Sequence, residues 1–254
     1  MSDGTLTAAI MQPTYLPWIG YFDLIDSVDV FVLLDNVQLA RQSWQTRNRI
    51  KGTDGLELLL SIPIRRSELK STLICEAKVN DATRWRKKHL ASIDLSYRKC
   101  AHAEPPIELV RSCILQDSDL LVDITASFIR ASVQMLGITT HVVSIRDVGT
   151  FKSARDDLLV DVCRALGATT YLSARGSNAY IEEKSSSGAF AGSGVALLYQ
   201  HYKHPTYRQL GPDFISHLGI IDLLCNVGAA DGLDVIRSGR RTPLISDEIW
   251  TNPA

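Results

Sequence analysis

Ala8-Ala9-Ile10-Met11-Gln12-Pro13-Thr14-Tyr15-Leu16-Pro17-Trp18-Ile19-Gly20-Tyr21-Phe22-Asp23-Leu24-Ile25 is the stretch whose reading decides the fold. Four successive apolar residues, Ala8 to Met11, read as a strand buried on both faces. Pro13 and Pro17 cannot sit in a central strand and force a loop. Gly20 permits close backbone approach where that loop turns into a helix. A second apolar strand, Val30 to Leu34, follows and runs into Asp35-Asn36-Val37-Gln38. Strand, helix and strand within about 30 residues predict a parallel βαβ unit with a right-handed crossover. Ligands of such units bind beyond the carboxyl ends of the strands. Gln12, Tyr15, Asp35 and Gln38 are therefore expected around one cleft, with Trp18 and Tyr21 beside them.

The whole chain has 254 residues, 45% hydrophobic and 22% charged, the balance of a globular protein with a sizeable core. The expected organisation is one α/β domain over residues 1–240, an insertion near 52–100 and a C-terminal tail from 241. The N-terminus lacks the pattern of a signal peptide, and no apolar run reaches the length of a membrane span, so a cytoplasmic location is expected. The five cysteines are not at metal-ligand spacing and read as buried thiols. No metal site is expected.

Formal net charge is −1, yet residues 41–99 hold 14 Lys and Arg against 6 Asp and Glu. Such an imbalance points to an anionic ligand near this segment (a nucleotide, a nucleotide-sugar or a carboxylate), to RNA, or to a solvated face balanced elsewhere. Its start, Arg41-Gln42-Ser43-Trp44-Gln45-Thr46-Arg47-Asn48-Arg49-Ile50-Lys51, lacks the apolar spacing of a core helix. Arginine offers a planar fork for phosphate or carboxylate, and tryptophan a stacking face.

Farther on, Leu56 to Ile64 and Thr72 to Val79 read as the two strands of a hairpin. Asp81 is placed to cap a helix carrying Trp85, His89, Ile93 and Tyr97 on one face. His89 reads as a surface histidine beside Trp85 or as a substrate contact. Helices are expected over Pro106 to Leu115, over Leu120 to Leu136 with Gly137 as its cap, and from Ser153 to Gly167. Thr169 to Ser173 is a short strand running into a Gly/Ser turn suited to an anion. Val195 to Tyr199 is another strand, followed by His204-Pro205-Thr206-Tyr207-Arg208-Gln209. A final helix is expected from Phe214 to Asn226. The ordering predicts a Rossmann-like parallel sheet flanked by helices, with an inserted hairpin and helical segment.

These residues resemble the WbqC-like family from Ile10 to about Gly228. The markers are Gln12 to Phe22, Asp35 to Gln38, Ser43 to Ile50, Tyr171-Leu172-Ser173, His204 to Gln209 and Ile221 to Asn226. The resemblance implies a context of bacterial surface-polysaccharide gene clusters and sugar modification. The opening βαβ motif is also similar to that of pantothenate synthetase and other nucleotidyltransferase-fold enzymes, which implies a nucleotidyltransferase-like fold and ATP as a cofactor. Their first turn carries His-x-Gly-His, where this chain has Trp18-Ile19-Gly20-Tyr21.

The expected activity is acyl or aminoacyl transfer, forming an amide on an amino sugar or related amine. His204 is the general base by its ordinary pKa, with Asp35, Tyr21 and Asp222 as further catalytic groups. Gln12, Tyr15, Trp18, Gln38, Trp44, Arg47, Asn48, Arg49, Ser173, Tyr207, Gln209 and Asn226 are the expected substrate contacts. The alternatives are a non-catalytic nucleotide or nucleotide-sugar binding module and an aminoacyl-tRNA-dependent transferase. A buried His204–Asp222 pair tying the last helix to the sheet is the structural alternative for those two residues.

Overall fold

Strand β1 (Thr7–Met11), helix α1 (Ile19–Asp26) and strand β2 (Val30–Leu33) form the expected unit, with Ala8 to Met11 parallel to Val30 to Leu33. The computed structural model describes residues 4–65, 72–183 and 185–249. Alternation along the strands splits their side chains between two cores. Ala9, Phe31 and Leu33 face one layer; Ala8, Ile10 and Val32 face the other.

Four more strands complete the sheet: β5 (His141–Ser144), β6 (Thr170–Ser173), β7 (Ala196–Tyr202) and β8 (Arg240–Ile245). Their order is β5-β2-β1-β6-β7-β8, parallel except for the antiparallel edge strand β8. Numbered within the sheet this is 3-2-1-4-5-6, the order of doubly wound folds, whose crevice opens where the winding reverses, between β1 and β6. One core joins the sheet to α1, α2 (Trp85–Tyr97), α3 (Glu104–Leu115), α4 (Leu121–Met135), α8 (Ile221–Val227) and α9 (Ala229–Ser238). The other is closed by α6 (Arg155–Leu166), with short α5 (Ile145–Val148), α7 (Asn178–Ile181) and α10 (Ser246–Ile249) around it.

Several expected elements differ. The hairpin pairs β3 (Arg47–Lys51) with β4 (Glu57–Ser61); of the expected pairing of residues 56–64 with 72–79 the structure makes the single antiparallel bridge Ile64–Val79. Asn48 and Ile50 are buried between half-buried Arg47 and Arg49, a period of two that makes the arginine-rich run a strand. Residues 72–79 mostly turn, with the amides of Glu76 and Ala77 donating to Leu73 O; of the expected connection, 65–71, all but Arg65 lies outside the described residues. Ser153 does not cap α6, because its hydroxyl donates to Asp161. The helix expected from Phe214 begins only at Ile221: a Cβ on Gly219 would stand 2.8 Å from Leu16 O, so the chain passes there as tightly packed loop. Helix α9 was not anticipated, and residues 240–245, read as the approach to and start of a tail, pair with β7.

Candidate functional site

The loop leaving β1 is held in an unusual shape by the hairpin. Tyr15 N donates to Trp44 O at 2.9 Å, and Asn48 Nδ2 donates to Tyr15 O and Leu16 O at 3.0 and 2.6 Å. Leu16 sits at φ 45°, a left-handed conformation that costs a branched residue about 1–2 kcal/mol and persists only where neighbours enforce it. Asn48 enforces it, and Ile220 N closes the other side by donating to Pro17 O at 2.8 Å. The loop is thus clamped between β3 and the start of α8.

Beside it, at the carboxyl ends of β1 and β2, lie two adjoining cavities. The smaller, about 240 Å³, is lined by Trp18, Tyr21, Trp44, Asn48, Arg49 and His217 with Met11, Thr14 and Pro17. The larger, about 510 Å³, reaches toward the segment after β6 and is lined by Gln12, Gln45, Leu34, Leu158, Ser177 and Tyr180 among others. Met11, Thr14 and Trp44 belong to both, so Trp44 is their shared wall. Its ring is half exposed, and the Arg47 and Arg49 guanidiniums lie 5.8 and 5.5 Å from it. Arg49 Nη1 donates to both carboxylate oxygens of Glu57 at 2.8 and 2.9 Å, and its Nη2 to His217 O at 3.4 Å. The Arg47 side chain makes no hydrogen bond or ion pair among the described residues, and its Nε is buried without a partner; it stands beside Trp44 but is not among the residues lining either cavity. In the larger cavity Gln45 Nε2 donates to Gln12 Oε1 at 2.6 Å.

Gly20 does receive a close neighbour, but from within the chain. A Cβ there would stand 2.2 Å from the Trp18 ring, so the indole lies flat on the glycine. Trp18 stacks in turn on His217, with ring centres 4.9 Å apart, and meets Tyr202 edge-on at 5.6 Å. His217 is the residue that sequence reasoning missed. It lines the smaller cavity at φ 59°, its Nδ1 2.9 Å from Ser216 Oγ, and its Nε2 has no partner among the described residues. The residue is exposed at the surface; partial desolvation of its ring and then the Arg49 charge lower its pKa from the ordinary 6.5.

His204 serves His217. Its Nδ1 donates to Pro205 O at 2.7 Å, and its Nε2 accepts the backbone N–H of His217 at 3.0 Å. Both ring nitrogens are engaged, and burial pushes its pKa down to about 4. The general-base role expected for His204 therefore has no free nitrogen to act with. The pairing of His204 with Asp222 is also not made. Asp222, fully buried, accepts from Tyr207 Oη at 2.9 Å and Gln209 Nε2 at 2.8 Å. Gln209 further holds Ile215 through both its N–H and its C=O, so Tyr207, Gln209 and Asp222 anchor the loop that carries His217.

Of the other expected site residues, all but Tyr21 lie apart from the cavities. Asp35 is buried against Ser144 Oγ at 3.0 Å and Arg146 at 3.0–3.3 Å, where it joins β2 to the start of α5. Tyr15 is buried with its hydroxyl on His89 Nδ1 at 2.9 Å; His89 is neither surface nor cavity, and burial lowers its pKa to about 4. Gln38 is exposed and bridges to Leu73, Ser173 is buried at the end of β6, and Asn226 donates to Asp222 O on α8. Tyr21 lines the smaller cavity as a donor, its hydroxyl on Gln12 O at 3.2 Å, and burial raises its pKa, which keeps the proton on. Among the described residues no group of three or more His, Cys, Asp or Glu is placed to hold a metal ion, and no helix is long and apolar enough to cross a membrane.

A doubly wound, Rossmann-like sheet with a two-part cleft at its switch point defines the α/β class of this protein. The chain belongs to the WbqC-like protein family, whose model matches residues 12–232. It is 29% identical over 228 residues to the uncharacterized protein Rv1507c of Mycobacterium tuberculosis (strain ATCC 25618 / H37Rv), covering 87% of this chain and 94% of that one. No solved structure matches it.

Proposed function

We propose that the cleft binds an anionic nucleotide or nucleotide-sugar and that the protein transfers an acyl or aminoacyl group to an amine, that of an amino sugar or a related compound. One observation carries the reading: a half-exposed tryptophan at the switch point, flanked by two guanidiniums of which one, Arg47, lacks any polar partner. Trp44 suits a ring, Arg47 a phosphate, and the Gln12–Gln45 amides the polar edge of a base. The reacting amine belongs in the smaller cavity. There its nitrogen attacks an activated acyl carbonyl, the C–N bond forms, and the leaving group departs with its bonding pair. His217 Nε2 takes the proton from the nitrogen, and Arg49 offsets the charge on the carbonyl oxygen. The Trp18 indole covers Gly20 and stands where the enzymes that the opening motif resembles carry a histidine, so the reading takes an acyl group already activated.

A second reading, a binding module without turnover, draws on the internal engagement of Asp35, Asp222 and His204. Quenching of tryptophan fluorescence by nucleotide-sugars measures binding, and mass spectrometry of the amine measures turnover. Arg47→Lys is expected to weaken binding about tenfold, because an ammonium cannot reproduce the planar fork. Unchanged affinity in that variant would remove the anion from this position. Binding with no acylated product would select the second reading.

A further inference from the structure

Helix α2 buries Trp85, His89, Ile93 and Tyr97 on its inner side. Its outer side carries Lys87, Lys88, Ala91 and Leu95, all exposed, and exposed Arg84, Arg98 and Lys99 flank its two ends. At 100° per residue Lys87, Lys88, Ala91, Leu95 and the capping Arg98 fall within one arc of about 100°. None of the five cations has an ion pair among the described residues, whereas Arg49 pairs with Glu57 and Arg240 with Asp23. On a chain of formal net charge −1 this arc makes a strong asymmetry. The apolar side chains on and beside it are also open to solvent. Leu95 is 53% and Leu115 56% exposed, and Leu115 joins Leu90 and Ala91 along a groove of about 800 Å³ between α2 and α3.

We propose that this face docks on the surface of a bilayer containing anionic phospholipid. Unpaired lysines and arginines spread over one helix face match a plane of phosphates. The exposed leucines select lipid over nucleic acid, since they can enter the headgroup region, whereas binding of bases calls for aromatic platforms, and no exposed aromatic stands on the arc. The described helices are too short or too polar to cross a membrane, so the attachment is peripheral. This surface does not depend on what the cleft binds.

Vesicle flotation of the purified full-length protein tests it. The protein is expected to float with phosphatidylcholine vesicles containing phosphatidylglycerol at low salt, not with phosphatidylcholine alone. Lys87→Glu/Lys88→Glu should lower that partitioning about tenfold or more, and added salt should do the same. Leu95→Asp should lower it several-fold. Both changes are at exposed helix positions, and melting curves verify folding; Lys87→Gln/Lys88→Gln replaces the reversal if it lowers the melting temperature. No flotation with the anionic vesicles, or equal flotation of the charge variants, overturns the proposal. So does a Leu95→Asp protein that floats like wild type while an RNA hairpin binds wild type and not the charge variants, which would assign the face to nucleic acid.

Discussion

Asp222→Ala is expected to lower stability by about 3–5 kcal/mol, a fall in melting temperature of about 10 °C in a chain of this length. The carboxylate is fully buried, and its Oδ2 takes both the Tyr207 hydroxyl and the Gln209 amide. Alanine would leave two buried donors unpaired and a cavity between them, and each unpaired donor costs about 1–3 kcal/mol. Asp222→Asn should be milder, because an amide oxygen at the Oδ2 position keeps both donors, while the Tyr97 hydroxyl, which also neighbours the carboxylate, loses part of its interaction. Burial is the leading cause of this carboxyl's raised pKa, ahead of the lowering by its hydrogen bonds. A raised folded pKa means that the folded state holds its proton to higher pH than the unfolded state does. The contribution of Asp222 is therefore present below the ordinary carboxylate pKa and is lost as pH rises through the folded value. Chemical denaturation from pH 7 downward should show wild type gaining on Asp222→Asn as the acid range is entered, before other carboxylates are protonated. An Asp222→Ala protein as stable as wild type would show that the Tyr207–Gln209 anchor does not hold the loop.

The contrast between what the chain betrayed and what it hid follows from periodicity. Residues 8–34 announced their fold because buried parallel strands are continuously apolar and Pro13 and Pro17 punctuate them. Helix α2 was equally legible through its four inward residues. The arginine-rich strand β3 was not, since its inward positions are Asn48 and Ile50 and its outward ones are charged; Asn48 is buried only because it clamps the Leu16 turn. Edge strand β8 has polar residues exposed on its flank and carries Pro243, so it resembled a tail. At the site, residue type suggested chemistry but not direction. Asp35, His204 and Asp222 looked catalytic and are spent on the fold, because a buried polar group must find partners wherever the packing puts it. Trp44, Arg47 and Arg49 were legible as a unit, because no core position asks for them. His217 was obscured by a helix drawn through Gly219, although a glycine inside an apolar run is itself a sign of a bend or a close approach.

His217→Gln is expected to lower turnover by about a hundredfold or more with the melting temperature nearly unchanged. The ring is stacked on Trp18, its Nδ1 is turned to Ser216 and its backbone is held by His204, so an exposed imidazole is kept at the rim of the smaller cavity with its Nε2 unengaged among the described residues. Glutamine keeps the size and a hydrogen bond but cannot take a proton at neutral pH. The pH profile separates a base from a merely positioned side chain. Partial desolvation, and after it the charge of Arg49, places the imidazole pKa below 6.5, so the rate should rise with pH along a limb that lies below that value and be level at pH 7. Arg49→Gln removes the second cause only. The limb should then move upward, toward 6.5, while the rate at its plateau falls for want of the cation opposing the carbonyl charge. Loss of the acid limb in His217→Gln, together with its upward shift in Arg49→Gln, assigns the proton to this ring. A His217→Gln enzyme with normal turnover, or an acid limb that neither substitution moves, would place the base elsewhere.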